Sequence, residues 1–312
     1  MQIRHSATGI EVLAPAKINL FFEVLSRRSD GFHEIETLMA PIGLYDTLIL
    51  EDDPSGQVSL AARWAIGFGQ QPTELHRVSA GTSEFGNLPE AEKNHAVRAI
   101  RLLAQKAGIS RGVRLKLVKR IPAAAGLGGG SSDAAAALLA ANLAWNLNWS
   151  VPQLTVIAAE LGSDVPFFLT RGSAICRGRG EKVQRIVGMP ALYLVVVRPP
   201  AGLETAGVYQ DCQPGDPPWQ VDQAAEAFRG GDLAAAGPVA RNRLLEPARR
   251  QSPWIDKVLN RLTDEGCPVI GMSGSGSACF AMCRSAIQAR QLAARLRNRH
   301  PGIGRVWSVG SV

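Results

Sequence analysis

A chain of 312 residues has room for about two domains at roughly 150 residues each, and 46% hydrophobic against 20% charged residues excludes a wholly disordered or fibrous polypeptide. The excess of 34 Lys and Arg over 27 Asp and Glu, formally +7, suits anionic small molecules, nucleic acid or plain solubility without choosing among them. The longest apolar runs, Ala134 to Ala141 and Ala191 to Val197, stop short of the ~18 residues of a membrane span, and Met1 to Ser6 carries no apolar signal-peptide core, so a cytoplasmic protein is expected.

From Glu11 to Leu25, Ile18, Leu20, Phe22 and Val24 fall on one parity and Lys17, Asn19, Phe21 and Glu23 on the other, which is strand periodicity and sets Lys17 and Asn19 on one face. A glycine turn follows, with His33 just beyond it. Val113, Leu115 and Leu117 alternate with Arg114 and Lys116 as a second strand that ends at Pro122. Glycines 126 and 128–130 then lead through Ser131, Ser132 and Asp133, read as cap signals, into an alanine-rich helix. Another helix spans Pro152 to Leu161, capped by Ser150 and stopped by Gly162.

Leu192 to Val197 reads as a buried strand, and a boundary near residue 188 divides the chain into domains 1–188 and 189–312. The proline-rich stretch Pro199 to Pro218 is expected to be a long functional loop. Helical patterns follow at Gln223 to Phe228, Pro253 to Glu265 and Ala286 to Arg299, with a strand, glycine turn and strand across Val269 to Phe280. Mixed elements in both halves predict an α+β fold. The five cysteines form no Cys-x-x-Cys pair and are expected to be reduced and mostly buried.

The segment Pro122 to Ser132 is the most informative. Clustered glycines let backbone N–H groups approach a phosphate chain, and a helix start adds about +0.5 charge. No lysine lies in the loop, which excludes a Walker A motif, and Ser131 stands where a dinucleotide fingerprint needs glycine. The plainer alternative is a flexible connector. Asp164, after a helix terminator and before Val165-Pro166, is a held carboxylate suited to general-base work, or a turn or cap aspartate. Lys17, flanked by Ala16 and Ile18, is expected to face a cleft. His5, His76, His95 and His300 have no supporting context, and no transition-metal spacing is present. The arginines of the last helix read as a solvated face.

Three segments, Pro15-Ala16-Lys17-Ile18-Asn19-Leu20, Pro122 to Ala135, and Gly271-Met272-Ser273-Gly274-Ser275-Gly276, resemble in order and spacing the motifs of the GHMP kinases. Arg28 to His33 and Leu161 to Phe167 are most similar to the members that act on 4-diphosphocytidyl-2-C-methyl-D-erythritol. The resemblance implies a two-domain α+β kinase, with a ribosomal-protein S5 domain 2-like N-terminal domain and a ferredoxin-like C-terminal domain. It implies transfer of the γ-phosphoryl group of ATP, with Mg²⁺, to the 2-hydroxyl of that substrate in isoprenoid precursor synthesis. It makes Asp164 the base and Lys17 the residue that orients or polarises the hydroxyl. Pro122, Ala123, Ala124, Ala125, Gly126, Leu127, Gly128, Gly129, Gly130, Ser131 and Ser132 become the ATP-phosphate loop. Asn19, Phe32, His33, Thr205 and Tyr209 become substrate contacts, with His33 reading the cytosine and Tyr209 stacking on it. It names no metal ligand, no nucleic-acid or membrane partner, and a monomer or weak homodimer. Two positions depart from the family: Phe32, where tyrosine is usual, and His95, which replaces a leucine in the presumed adenine region. The alternatives are another GHMP kinase, of the homoserine or phosphomevalonate type, or a non-enzymatic nucleic-acid-binding protein.

Overall fold

The computed structural model describes residues 1–6, 9–67 and 88–312; His76 lies outside them. In chain order the elements are β1 (Gln2–Ser6), β2 (Gly9–Arg27), β3 (His33–Asp53), β4 (Val58–Trp64), α1 (His95–Ala107), β5 (Gly112–Lys119), α2 (Gly129–Ala144), α3 (Val151–Leu161), α4 (Val165–Leu169), β6 (Ala174–Gly178) and β7 (Lys182–Arg185). They continue with β8 (Tyr193–Arg198), α5 (Thr205–Gln210), α6 (Val221–Gly230), α7 (Leu233–Ala236), α8 (Leu245–Gln251), α9 (Pro253–Asp264), β9 (Val269–Met272), β10 (Cys279–Cys283), α10 (Ala286–Arg299) and β11 (Arg305–Gly310). The chain forms two compact units. The first comprises Met1–Ala16, Leu44–Ala123 and Gly128–Arg171, and the second Lys17–Gly43, Ala124–Leu127 and Gly172–Val312. Strands β2 and β3 therefore give one part to each.

In the first unit β1 runs antiparallel to the start of β2, and the end of β3 antiparallel to β5. Strand β4 lies parallel to β5, a pairing that needs a crossover, and α1 lies in that connection. Asn94 caps α1 by accepting from the Ala96 N–H, and Gly108 ends it in the left-handed region at φ 65°. Helices α1 and α2 pack together, as do α2 and α4. Helix α2 is buried nearly all round, through Ala134 to Leu138, Ala140 and Ala141, which suits a helix made of small residues. Ser150 and Gln153 form a capping box on α3, which stops at Gly162 as expected.

The second unit holds an antiparallel sheet in the order β11-β8-β10-β9, with α9 against β9 and β10 and α10 against β8 and β11. Its core includes Val195, Val197, Leu244, Ile255, Val258, Leu262, Ala281, Leu292 and Leu296. The first part of β3 pairs with β6, and β6 with β7. Cys176, Cys212, Cys279 and Cys283 are buried and Cys267 half-buried.

The structure departs from expectation at three places. Strand β2 is covered on both faces from Ala14 to Val24, so its alternation in sequence is not matched by alternating exposure, and Lys17, Asn19 and Glu23 are buried. The first half of strand β3 has no period-2 signal because Leu38 to Ile42 is apolar on both faces and contains Pro41, whereas burial alternates from Gly43 onward. The expected loop 199–218 contains helix α5. No described helix is long and apolar enough to cross a membrane.

Candidate functional site

Helix α2 starts one residue after Gly128, which occupies the N-cap in the left-handed region at φ 70°. Gly129, Gly130, Ser131 and Ser132 thus form its first turn, and Asp133 follows inside the helix rather than capping it. A helix's first N–H groups have no intrahelical acceptor, so this turn presents amides and a positive dipole end. Both of its glycines are tightly packed. A Cβ on Gly129 would lie 2.9 Å from Ile121 and 3.3 Å from the Lys119 ammonium, and one on Gly130 would lie 3.2 Å from the His95 ring. His95 is the first residue of α1; burial and the charges of Arg98 and Lys119 hold its pKa below the ordinary histidine value. Pro122 and Ala123 precede this turn in the same unit.

The middle of the segment, Ala124 to Leu127, belongs to the second unit and is tied there by main-chain atoms. Lys17 N donates to Leu127 O at 2.9 Å and Ala278 N to Ala125 O at 3.1 Å. Ser273 Oγ donates to Gly126 O at 2.8 Å. Gly126 needs its freedom, since at φ 71° a Cβ would be driven into the Ser273 carbonyl.

Around the same turn lies a second set of bonds. Lys17 Nζ donates to Asn19 Oδ1 at 2.5 Å, Asn19 Nδ2 to Thr37 Oγ1 at 2.8 Å, and Thr37 Oγ1 to Phe21 O at 2.6 Å. The Asn19 N–H donates to Ser273 Oγ at 3.1 Å. A Cβ on Gly274 would lie 3.3 Å from Lys17 Nζ, so the glycine turn 271–276 is moulded to the lysine. Thr37 and Ser273 are functional candidates that sequence reasoning missed. Ser273 lay within a quoted motif, whereas Thr37 sits in a strand with no period to expose it.

Of the other expected residues, the structure brings His33 and Tyr209 together with ring centroids 5.1 Å apart, and sets Phe22 edge-on to Tyr209 at 6.3 Å. Burial and the nearby Arg27 lower the His33 pKa, favouring the neutral ring that can both donate and accept. Thr205 and Tyr209, four residues apart, share a face of α5, and Thr205 Oγ1 bonds Ser275 Oγ at 3.0 Å. Phe32 is 49% exposed, with the Arg179 guanidinium 4.7 Å over its ring. Glu23, fully buried, accepts from Arg243 Nε at 2.7 Å and Nη2 at 2.8 Å and from the Trp219 N–H at 2.8 Å. The Trp219 bond fastens loop 211–220 to β2 beside Phe22, and the ion pair ties Arg243 to the same carboxylate. Asp164 belongs to the first unit, half-buried at the N-cap of α4. Its side chain makes no capping bond, which removes the cap reading. Among the described residues, no three His, Cys, Asp or Glu side chains are grouped to hold a metal ion.

Comparison with known proteins gives this geometry a family. Residues 94–172 match the GHMP kinases N terminal domain and residues 224–302 the GHMP kinases C terminal domain. The 4-diphosphocytidyl-2-C-methyl-D-erythritol kinase of Pelotomaculum thermopropionicum is 39% identical over 290 residues, covering 92% of this chain and 94% of its own. That of Rhodopirellula baltica is 38% identical over 92% of this chain and 91% of its own. A crystal structure of 4-(cytidine 5'-diphospho)-2C-methyl-D-erythritol kinase superposes with a TM-score of 0.75 at 36% identity, covering 96% of this chain and 98% of the other. Homoserine kinase from Cytophaga hutchinsonii, at 21% identity and a TM-score of 0.71, shares the fold. With identity at this level along nearly its full length, the chain belongs to the 4-diphosphocytidyl-2-C-methyl-D-erythritol kinase family of the GHMP kinases.

Proposed function

We propose that this chain transfers the γ-phosphoryl group of ATP to the 2-hydroxyl of 4-diphosphocytidyl-2-C-methyl-D-erythritol, a step of isoprenoid precursor synthesis. The observation that carries the reading is the knot at Ser273, which ties Gly126 of the glycine loop to Asn19 and, through it, to Lys17. Such a knot fixes the middle of the glycine loop and a cationic side chain relative to each other, and phosphoryl transfer consists largely of alignment and electrostatic stabilisation. The proposed domain division, 1–188 and 189–312, accords with family matches that end at residue 172 and resume at residue 224, whereas the compact units change at residue 172 and the second also takes in 17–43 and 124–127.

In this reading the amides of Gly128 to Ser132 and the α2 dipole bind the triphosphate. Mg²⁺ would ride on the phosphate oxygens, because it keeps few protein ligands in nucleotide sites, and would supply neutralisation of developing charge. Asp164 accepts the proton of the 2-hydroxyl as that oxygen bonds to Pγ and the bond from Pγ to the ADP oxygen breaks. Lys17, oriented by Asn19, orients the hydroxyl and steadies the transferring group. His33 presents a neutral ring edge to cytosine, Tyr209 and Phe32 supply stacking faces, and Thr205 contacts the substrate from α5. The test is ADP release coupled to substrate, with 4-diphosphocytidyl-2-C-methyl-D-erythritol, homoserine and phosphomevalonate offered in parallel. Turnover with the first alone is expected; turnover with either of the others instead would overturn the reading.

A further inference from the structure

Behind the helix start that presents the loop amides lies a buried cluster of three charged groups. Lys119, the last residue of β5, donates from one ammonium to Asp46 Oδ2 on β3 and to Asp133 Oδ2 on α2, each at 2.5 Å. Asp46 is fully buried, Asp133 97% and Lys119 92%. The other Asp46 oxygen accepts from the main-chain N–H of Arg120 and, at 2.9 Å, from that of Ile121. One carboxylate thus grips the chain where it enters the glycine segment, the other sits in the helix where the chain leaves it, and the lysine joins the two.

We infer that Lys119, Asp46 and Asp133 are positioning residues for the nucleotide, stapling the entry and the exit of the loop so that the first-turn amides of α2 stand at a fixed place. The inference rests on the reading of that loop as the ATP-phosphate site. Three observations support it. Gly129, in the first turn, is packed directly on Ile121 and the lysine ammonium, so a shift of the cluster moves the turn itself. Asp133 Oδ1 and the hydroxyl of Ser132 are buried with no hydrogen-bond partner, a costly arrangement in a core that a purely structural helix of alanines would not need. Leucine or alanine at position 133 would pack an apolar helix interior without burying charge, and replacing buried ion pairs by apolar groups is often neutral or stabilising. The cluster therefore reads as geometry kept at the expense of stability.

Electrostatics makes the inference testable, because it pulls in the opposite direction. At pH 8, above the value of about 7 to which burial raises the Asp133 carboxyl, two carboxylates and one ammonium leave a surplus of negative charge behind a turn that is to bind a polyanion, so removal of Asp133 would by field alone tighten ATP binding. Weaker binding after removal can then report only lost position. In Asp133→Ala, Lys119 keeps Asp46 as its partner and alanine suits the helix, so the protein is expected to fold. Its KM for ATP should rise about tenfold, the scale on which displaced supports of a site are felt, while the KM for the alcohol substrate stays put. Asp133→Asn retains an oxygen for Lys119 and should return ATP KM to within about twofold of wild type. The same order should appear in the thermal shift that ATP confers on each folded protein. Unchanged or tighter ATP binding in Asp133→Ala would overturn the inference, as would equal losses in both variants or a parallel rise in both substrates' KM. Failure of the wild-type protein itself to bind ATP would instead remove the reading of the loop.

Discussion

Two buried lysines, at positions 17 and 119, sit in different surroundings. Lys119 bridges two carboxylates and has its ammonium form favoured by both against the cost of burial. Lys17 donates to the amide oxygen of Asn19, itself oriented by Thr37 and Ser273. Carboxylate partners fix a cation by neutralising it, whereas the amide oxygen of Asn19 adds a direction to the hold on Lys17. By position Lys119 stands behind the first turn of α2 and Lys17 against the glycine turn 271–276, although their burial is nearly the same, 8% and 4% exposed.

Substitution should separate the two sites. Lys119→Met would leave Asp46 and Asp133 facing each other in the core, and removing one partner of a buried pair costs about 3–5 kcal/mol. A fall in melting temperature of about 10 °C is expected, read by thermal denaturation. Lys17→Met should lower kcat about 10²-fold, the scale for losing one electrostatic stabiliser, with the ATP KM little changed. A Lys17→Met protein with normal turnover would erase the contrast. Asp164→Asn should cost a similar ~10²-fold in kcat, as expected for removal of a positioned base. Single-turnover phosphate transfer with both substrates saturating is the measurement, and near-normal rates would take the base role from Asp164.

Ser273→Ala probes the same lysine at one remove. It deletes the hydroxyl bonded to Gly126 O and to the Asn19 N–H without touching Lys17. A net hydrogen bond is worth about 1 kcal/mol, so a kcat loss of about fivefold to tenfold is expected. Ser273→Thr, which restores the hydroxyl, should recover much of it. Equal rates for Ala and wild type would mean that Asn19 and Thr37 suffice to aim the ammonium.

Most of what bears on the reaction lay in short segments where backbone demands are local and visible. The glycines of 126–130 announce a turn and a helix start, Ser150 and Gly162 bracket α3, and the alternation of Ile18 to Val24 marks β2. Hidden were features that depend on what packs from elsewhere. Serines 131 and 132 look like caps, yet glycine's freedom at position 128 let the helix begin before them. Strand β3 carried Thr37 in a run buried on both faces, and Asp46 as a polar residue at a buried position of its alternating half. The charge network of Glu23 with Arg243 joins residues 220 positions apart, a separation that no local pattern encodes. Sequence thus exposed the groups proposed to meet ligand and concealed those that hold them.

The smallest expected effect concerns the Lys119 cluster itself. Burial, with Asp46 close by, pushes the Asp133 carboxyl up to about 7 despite the opposing pull of Lys119. In the unfolded chain an aspartate titrates near ~3.9. Between those values the folded protein holds a proton that the unfolded chain has released, so stability falls as pH rises. Below the lower value both states are protonated, and above the upper one both are ionised and the penalty is complete. Lys119 is raised from an already alkaline value, so its contribution is constant across this window. The lowered His33 and His95 oppose the trend, but they are common to wild type and Asp133→Asn and cancel in the difference. From pH 6 to pH 8 the wild type should lose about 1 kcal/mol relative to Asp133→Asn, a few degrees in melting temperature. Parallel melting curves for the two proteins over that range would show that Asp133 stays ionised throughout.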